Sequence, residues 1–258
     1  MSMNAVLTDF TDGLMTITLN RPDAFNSINQ ELRTELRDAF VRATEPDVRA
    51  VLLKGSAKAF CAGQDLKEHI TDIQTGNGMD KVVTEYNPMV DALVAIDAPV
   101  VAAIEGATAG AGWSLALHCD FRIAGPKASF KAAFPSISLA PDCGMSAILA
   151  RIVGDAKARE ILMLDPKITA DEAKELGLVT TVVDNPVEAA EDMARKLASG
   201  PTLAYREIKA LLRREMGKQV SDAAEAEAGA QARLAQSADH HEAVSAFVEK
   251  RTPTFRGK

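Results

Sequence analysis

The sequence predicts an α/β fold in which most strands pair in parallel, followed by a helical C-terminal region. Apolar, strand-like segments such as 50–53 and 100–104 alternate with helical patterns, which is typical of parallel α/β proteins. Towards the C-terminus the β-branched alternation gives way to helical sequence rich in Ala, Glu, Arg and Leu. We therefore predict an α/β core over residues 1–198 and a helical region over residues 199–258.

The core elements are predicted from apolar periodicity and turn residues. A hairpin opens the chain, because 5–10 and 14–19 alternate apolar and polar residues around an Asp12-Gly13 turn. Asn29 is predicted to cap a helix whose apolar face begins at Leu32. The later predicted segments are a strand at 50–53, a helix at 82–96, a strand at 100–104, a helix at 113–118 and a strand at 178–183.

Capping signals mark two helices nearer the C-terminus. Thr169 and Glu172 have the spacing of a capping box, in which each side chain accepts a hydrogen bond from the other residue's backbone. Asp239 and Glu242 have the same spacing ahead of an apolar helical face that includes Val244. We interpret both pairs as helix starts.

The composition indicates an ordinary globular protein and excludes some partners. Apolar residues make up 47% of the chain and charged residues 25%. With a net charge of −7, we expect neither nucleic acid nor an anionic membrane as a partner. The start, MSMNAVLTDF, does not resemble a signal peptide, and no apolar run approaches the ~20 residues that span a bilayer. Three cysteines at unrelated spacings favour reduced thiols, so we expect a cytoplasmic protein.

Two loops of small residues follow buried strands and run into helices. They are CAGQDL at 61–66 and Gly110-Ala111-Gly112. Such loops leave backbone N–H groups free at helix N-termini, and small side chains let the backbone approach a ligand. Two N–H groups converging on one oxygen would form an oxyanion hole. The alternative interpretation is that both loops are plain tight turns.

Other kinds of site find less support. Gly110-x-Gly112 matches part of the dinucleotide fingerprint, but Leu115 stands in place of its third glycine. No GxxxxGK[ST] motif is present, which excludes that phosphate loop, and no serine lies in a GxSxG elbow. The adjacent His240 and His241 would point about 100° apart on a helix. We therefore predict no metal site.

Two aspartates have ordinary structural interpretations when each is taken alone. Asp142 lies in the turn-like stretch LAPDCG at 139–144, where aspartates often face solvent. Asp65 stands at a predicted helix start, where it would serve as a cap.

Several segments resemble the crotonase (enoyl-CoA hydratase/isomerase) family. FCAGQDL at 60–66 and AAIEGATAGAGWSLALHCD at 102–120 resemble its two signature segments in their order and separation. LNRP at 19–22 and AFVEKRTPTFRGK at 246–258 resemble the family's ends, so the likeness spans essentially the whole chain. The resemblance implies a spiral of ββα turns with a C-terminal helical region that builds homotrimers or hexamers. It also implies an acyl-CoA thioester as partner, with coenzyme A entering as part of the substrate and no separate cofactor.

The resemblance also implies residue roles. Gln64, after the glycine of the first loop, and Ala111, in the middle of the second, would donate the two oxyanion N–H groups. Asp142 would complete the catalytic set. The implied substrate-binding residues are Ala24, Phe25, Ala62, Gly63, Asp65, Gly110, Phe134 and Lys250.

The chain departs from the hydratases of the family at two positions. Hydratases place and protonate water with two glutamates, and Ser114 and Phe134 stand at those positions here. Neither side chain can act as the general base. Asp142, in contrast, stands where some isomerases of the family carry a catalytic aspartate. Several stretches resemble the ring-1,2-epoxyphenylacetyl-CoA isomerases, relatives of the Δ3,Δ2-enoyl-CoA isomerases: CAGQDL, EYNP, GAG, APDCG and VSAFVEKR.

We therefore predict an acyl-CoA isomerase that uses a single aspartate as acid and base. Apolar neighbours, Phe134, Ile137 and Leu139, are expected to raise the pKa of Asp142 and make it a better base. The alternatives are an enoyl-CoA hydratase or another crotonase reaction, a non-catalytic acyl-CoA-binding protein, and the nicotinamide dehydrogenase suggested by the partial glycine pattern.

Overall fold

The computed structural model describes residues 4–75, 79–214 and 216–258. The strands are β1 (Val6–Thr11), β2 (Leu14–Leu19), β3 (Ala50–Gly55), β4 (Ala59–Cys61), β5 (Val100–Ile104), β6 (Ala107–Ala109), β7 (Phe121–Ala124), β8 (Ser129–Lys131), β9 (Ile168–Thr169) and β10 (Thr181–Val182). The helices are α1 (Gln30–Arg42), α2 (Leu66–Thr75), α3 (Asn87–Ala95), α4 (Ala111–His118), α5 (Met145–Val153), α6 (Asp155–Leu164), α7 (Ala170–Glu175), α8 (Pro186–Ala198), α9 (Thr202–Arg213), α10 (Met216–Leu234) and α11 (Ala238–Val248). Short 3-10 turns lie at Pro22–Ala24 and Pro135–Ile137, and a π-helical turn at Val82–Tyr86 precedes α3.

The strands form two sheets. The larger has the order β1-β2-β3-β5-β7-β10 and is parallel apart from the β1–β2 hairpin. The smaller has the order β4-β6-β8-β9, with the first three strands parallel and β9 antiparallel. The predicted mainly parallel α/β fold is thus confirmed.

Three consecutive stretches of the chain repeat one pattern. In each, a strand of the large sheet is followed by a strand of the small sheet and then by a helix: β3-β4-α2, β5-β6-α4 and β7-β8-α5. Parallel neighbours require such crossovers, because the chain must return to the starting edge of the sheet before it pairs again. The repeat forms the spiral of ββα turns that the resemblance implied.

The large sheet is buried on both faces, which explains its nearly continuous apolar strands. Leu53 and Ala102 point into the main core between the sheets and the helices. Leu52 and Val101 point to the other face, where α8 covers them with a stripe of alanines at 190, 194 and 198. Small side chains on α8 allow the helix to approach the sheet closely.

Local signals predicted most element starts correctly. The hairpin pairs Val6 with Leu19 and Thr11 with Leu14, as the Asp12-Gly13 turn requires. The Asn29 side chain accepts from the backbone N–H of Leu32 at 3.1 Å. The capping box between Thr169 and Glu172 is formed in both directions. The predicted strand at 178–183 is shorter, because only Thr181–Val182 pairs with β7.

The capping box predicted at Asp239 and Glu242 is wrong. Ser237 is the N-cap of α11, and its hydroxyl accepts from the N–H of His240 at 3.1 Å. The Asp239 carboxylate instead accepts from the N–H groups of Arg256 and Gly257, where the chain returns to the start of the helix. Glu242 forms an ion pair with Arg251. The spacing matches the motif, but Ser237 caps the helix and Asp239 binds the backbone of a distant segment instead.

The residues after 198 that the structure describes are mainly helical, since α9, α10 and α11 follow one another. The predicted boundary at 198/199 falls between the end of α8 and the start of α9. The division of the chain into two units at that point stays a prediction. Within the described residues, no helix combines the length and the apolar character needed to cross a membrane.

Candidate active site

The two small-residue loops are packed against each other at the ends of β4 and β6. Gly63 has a φ of 89°, and a Cβ there would lie 2.8 Å from the carbonyl oxygen of Ala109. A Cβ on Gly112 would lie 2.6 Å from the carbonyl oxygen of Cys61. Real Cβ atoms do not approach oxygen so closely, so glycine is required for this contact. The contact brings the two predicted oxyanion donors into one site.

The backbone N–H groups of Gln64 and Ala111 are both free for a ligand. A parallel bridge joins Ile28 to Gln64 through the carbonyl of Gly63 and the N–H of Asp65. The N–H of Gln64 therefore points away from Ile28. Ala111 is the first residue of α4 and has no acceptor within its own helix. Among the described residues, no backbone carbonyl accepts from either group.

A cavity of about 290 Å³ lies beside the two loops. It contains both predicted oxyanion residues and Asp142, and its walls are otherwise mostly apolar. The residues that line it are Ala62, Gly63, Gln64, Leu66, Gly110, Ala111, Ala132, Ala133, Phe134, Ser136, Ile137, Leu139, Asp142, Gln231, Ala243, Phe247, Arg251 and Pro253. Asp142 is the one carboxylate among these lining residues. Such a pocket, with few polar groups in an apolar wall, is the usual form of a small-molecule site.

Asp142 is buried rather than solvated, with a relative exposure of 5%. Its Oδ1 has no hydrogen-bond partner among the described residues, and its Oδ2 lies 3.5 Å from Nε2 of Gln231. Burial, and then the negative charge of Glu227, raise the pKa of Asp142 to about 7. A carboxyl group with this pKa can both accept and return a proton near neutral pH. The interpretation as a solvated turn aspartate is therefore wrong, and the expected rise in pKa is confirmed.

Two residues of α10 hold the Asp142 loop, and the sequence analysis missed both. The Glu227 carboxylate accepts from the N–H groups of Gly144 and Ser146, each at 2.7 Å, at the start of α5. Gln231, one helical turn later, donates from Nε2 to the carbonyl of Ala140 at 2.7 Å. No local motif marks these residues. The only available signal was a glutamate and a glutamine at i and i+4 in an alanine-rich helix, on one face.

Of the two positions at which the resemblance sets this chain apart from hydratases, only one lines the cavity. Ser114 is fully buried on α4, and its hydroxyl faces the carbonyl oxygens of Gly110 and Asp142 at 3.4 and 3.3 Å. It does not line the cavity. Phe134 does line it, and its ring offers no proton-transfer group.

Four of the predicted substrate-binding residues lie outside the cavity wall. The Asp65 carboxylate caps α2 at the N–H groups of Lys67 and Glu68 and pairs with Arg21 at 2.8 Å. Its structural interpretation as a helix cap is confirmed. Ala24 and Phe25 form a neighbouring loop, in which the Phe25 carbonyl accepts from the N–H of Ala62. Their roles in binding stay predictions.

Lys250 is exposed after the end of α11, and the neighbouring Arg251 lines the cavity instead. The Arg251 guanidinium is paired with Glu242 and Glu249. The sequence analysis did not predict this basic residue at the cavity wall. The role of Lys250 in binding stays a prediction.

Neither metal ligands nor disulfides are found in the part of the chain that the structure describes. No group of three or more His, Cys, Asp or Glu side chains there is arranged to hold a metal ion. Cys61, Cys119 and Cys143 are free and buried. The site is thus built from backbone N–H groups, one carboxyl group and apolar walls.

Comparison with known proteins identifies the family of the chain. Residues 9–258 match the family described as enoyl-CoA hydratase/isomerase. The chain is 37% identical to the 1,2-epoxyphenylacetyl-CoA isomerase of Escherichia coli K12, over 99% of this chain and 100% of that one. It is 32% identical to the 2,3-dehydroadipyl-CoA hydratase of the same organism, over 99% and 100% of the two chains. A crystal structure of an enoyl-CoA hydratase from Mycobacterium avium subsp. paratuberculosis superposes with a TM-score of 0.86, at 33% identity and 98% coverage of both chains.

The chain belongs to the enoyl-CoA hydratase/isomerase, or crotonase, family. It is therefore an enzyme of a family that acts on acyl-CoA thioesters. Because its relatives include both an isomerase and a hydratase, the particular reaction has to be argued from the site.

Proposed function

We propose that this chain is an acyl-CoA isomerase in which Asp142 alone moves the proton. The substrate is a 3-enoyl-CoA or a ring-1,2-epoxyphenylacetyl-CoA, and the intermediate is a thioester enolate held by the N–H groups of Gln64 and Ala111. The observation that carries this proposal is that Asp142 is the one carboxylate in a cavity lined by both of those residues.

For a 3-enoyl-CoA the proton balance needs only one carboxyl group. The Asp142 carboxylate takes a proton from C2, and the electron pair moves into a dienolate whose oxygen accepts from the two backbone N–H groups. The Asp142 carboxyl group then returns the proton to C4, which leaves the conjugated 2-enoyl thioester. A thioester α-proton is a weak acid, so the oxyanion donors are essential. One such donor typically contributes ~3 kcal/mol.

The environment of Asp142 supports both halves of this transfer. A carboxyl group with a pKa of about 7 is a stronger base than an ordinary aspartate and is still acidic enough to give the proton back. Its Oδ1 is buried and has no hydrogen-bond partner among the described residues, so the ionised form is poorly stabilised and readily takes up a proton. Among the described residues that line the cavity, there is no second carboxylate to activate a water molecule.

Asp142→Asn tests the proposal directly. With 3-hexenoyl-CoA, we expect the wild-type protein to produce 2-enoyl-CoA, followed by its ultraviolet absorbance. We expect the variant to lose about 10³-fold in kcat, since general acid–base catalysis contributes of this order. The variant should remain folded, because a buried neutral amide replaces a group that is costly to ionise. No conversion by the wild-type protein, or full activity of the variant, would remove Asp142 from the mechanism.

Hydration is the second candidate, because several relatives are named as hydratases. The same ultraviolet absorbance separates the two reactions when 2-hexenoyl-CoA is supplied. A hydratase converts 2-hexenoyl-CoA into a 3-hydroxyacyl-CoA, and the absorbance falls. An isomerase leaves the 2-hexenoyl-CoA, and hence the absorbance, unchanged. A protein that binds hexanoyl-CoA and catalyses neither reaction would be a non-catalytic binder.

We also propose that the chain assembles into a homotrimer or hexamer through its C-terminal helices. The support is an apolar face on α9 that stays exposed in the single chain, with Leu203, Ile208, Leu211 and Leu212 between 54% and 76% accessible. Exposed apolar faces of this kind commonly mark interfaces. Sedimentation equilibrium of the wild-type protein and of Leu211→Asp tests the assembly.

A further inference from the structure

Two buried histidines join the first oxyanion loop to the last helix. His69 on α2 and His240 on α11 are 171 positions apart, and their Nε2 atoms lie 3.0 Å from each other. Nδ1 of His69 lies 3.1 Å from the side-chain Nε2 of Gln64, and Nδ1 of His240 lies 2.7 Å from the carbonyl oxygen of Ile137. Both rings are essentially inaccessible to solvent. The four groups form one continuous chain of hydrogen bonds.

The proton positions follow from the far end of this chain. The carbonyl oxygen of Ile137 can only accept, so Nδ1 of His240 carries hydrogen. In a neutral ring the Nε2 of His240 is then an acceptor, and Nε2 of His69 must donate to it. Nδ1 of His69 is left as an acceptor for the amide N–H of Gln64. Each ring thus has one tautomer, and the amide of Gln64 has one orientation.

The surroundings favour the neutral rings. Burial, and then the charges of His240 and Lys81, lower the pKa of His69 to about 4, while Asp72 acts in the opposite direction. Burial also lowers the pKa of His240. The hydrogen bond from His240 to Ile137 acts in the opposite direction, and the charge of His241 lowers the pKa by a smaller amount. With both rings neutral, one ring donates to the other without repulsion.

Both ends of the hydrogen-bond chain reach the cavity. Gln64 supplies an oxyanion N–H, and Ile137 lies in the apolar wall. The helix that carries His240 also brings Ala243 and Phe247 to the same cavity. The histidine pair therefore connects three walls that come from distant parts of the sequence.

We propose that His69 and His240 are positioning residues of the acyl-CoA reaction: the pair orients Gln64 through its side-chain amide and holds the Ile137 wall against α11. The inference rests on the proposed oxyanion role of Gln64. The two ends have separable effects. The link through His69 to Gln64 governs the enolisation step, and the link to Ile137 governs how firmly the acyl group is held.

Two amide substitutions at one position separate these links. The amide of Asn reaches about as far as Nδ1 of a histidine, so His240→Asn keeps the bond to Ile137 and loses the bond to His69. The amide oxygen of Gln reaches about as far as Nε2, so His240→Gln keeps an acceptor for His69 and loses Ile137. His241→Gln is the matched control, because His241 is the next residue on the same helix and is exposed.

With 3-hexenoyl-CoA we expect opposite effects of the two variants. His240→Asn should lower kcat about tenfold or more, because a misdirected oxyanion donor loses alignment, and leave KM within about twofold. His240→Gln should raise KM several-fold and leave kcat within about twofold. His241→Gln should behave as the wild-type protein. Equal losses in both variants, or a fall in melting temperature without any change in kcat or KM, would reduce the pair to a packing contact and overturn the proposal.

Nitrogen-15 NMR of the histidine rings in the wild-type protein gives a test that does not depend on the variants folding. At pH 7 we expect His69 to carry hydrogen on Nε2 and His240 on Nδ1. The reverse tautomers, or a charged ring, would contradict the inferred chain. If the wild-type protein does not isomerise 3-hexenoyl-CoA, the proposed function fails separately. Calorimetric binding of hexanoyl-CoA to the two variants then still tests the link to Ile137.

Discussion

The α/β core and the C-terminal helices contribute different things to the same site. The core supplies the groups proposed to meet the reacting atoms: two backbone N–H groups and Asp142. The helices after residue 198 supply Glu227 and Gln231, which hold the Asp142 loop. The C-terminal helices thus fix the position of a carboxyl group, that of Asp142, which the core provides.

The two buried acids illustrate the difference. Asp142 of the core has one oxygen without a partner, so its ionised form is poorly stabilised. Glu227 of α10 is also buried, but both of its oxygens accept backbone N–H groups at the start of α5. Burial raises the pKa of Glu227, and the hydrogen bonds from Ser146 and Gly144 act in the opposite direction, because backbone donors stabilise a carboxylate. In its ionised form Glu227 acts on Asp142 from a fixed place, while Asp142 is the group proposed to transfer the proton. Substitutions in the core and in the C-terminal helices can test this difference between the two regions.

The largest effect is expected on the core side, from Gly112→Ala. The added Cβ would meet the carbonyl oxygen and side chain of Cys61 at 2.6 Å and push the two loops apart. We expect a loss of about 1–3 kcal/mol of stability and about 100-fold in kcat, measured by thermal unfolding and the 3-hexenoyl-CoA assay. Gly217→Ala is the control, because nothing lies within 4 Å of its added Cβ. An active, stable Gly112→Ala protein would show that the loops do not need this contact.

A smaller and more specific effect is expected from Glu227→Gln. Removing the negative charge lowers the pKa of Asp142, because that charge raises it. The base is then ionised at lower pH, so the acid limb of the kcat/KM profile moves to lower pH. We expect a shift of less than about one pH unit, since burial is the larger cause and is unchanged.

The matched control for this charge effect is Glu225→Gln, on an exposed face of the same helix. Its profile should keep the wild-type midpoint, near pH 7. A Glu227→Gln midpoint that stays in place, or moves to higher pH, would mean that Glu227 acts only as a support for the loop. Thermal unfolding reports the loss of that support independently.

The smallest effect is expected from Gln231→Leu, which should raise the pKa of Asp142, whereas Glu227→Gln should lower it. The substitution removes the amide donor near Oδ2 of Asp142, so the ionised form loses a stabilising contact and the pKa rises. We expect the acid limb to move up by a few tenths of a pH unit, and a loss of about 1 kcal/mol in unfolding free energy because the carbonyl of Ala140 loses its partner. A midpoint that moves down would contradict this assignment of the amide.

The difference between the two regions also explains how much could be predicted from the sequence. The parallel core, the Asn29 cap, the Thr169 capping box and both loops have local signals, and the structure confirms these elements. Asp142 was placed by resemblance, and its burial depends on elements far along the chain. Glu227, Gln231 and the pairing of His69 with His240 have no local signal, because each contact joins segments that lie far apart in sequence.

The same separation has a consequence for the biosynthesis of the enzyme. Asp142 and Gln231 are 89 positions apart, so a growing chain holds the carboxyl group proposed to move the proton long before the helix that encloses it. Until α10 and α11 dock, water reaches that carboxyl group, and its acidity is expected to stay that of an ordinary aspartate. Long-range contacts form slowly, because the loop-closure entropy must be paid before the contacts are made. We therefore expect catalytic competence to be the last property the molecule acquires, so that unfinished chains leave the cell's thioesters untouched.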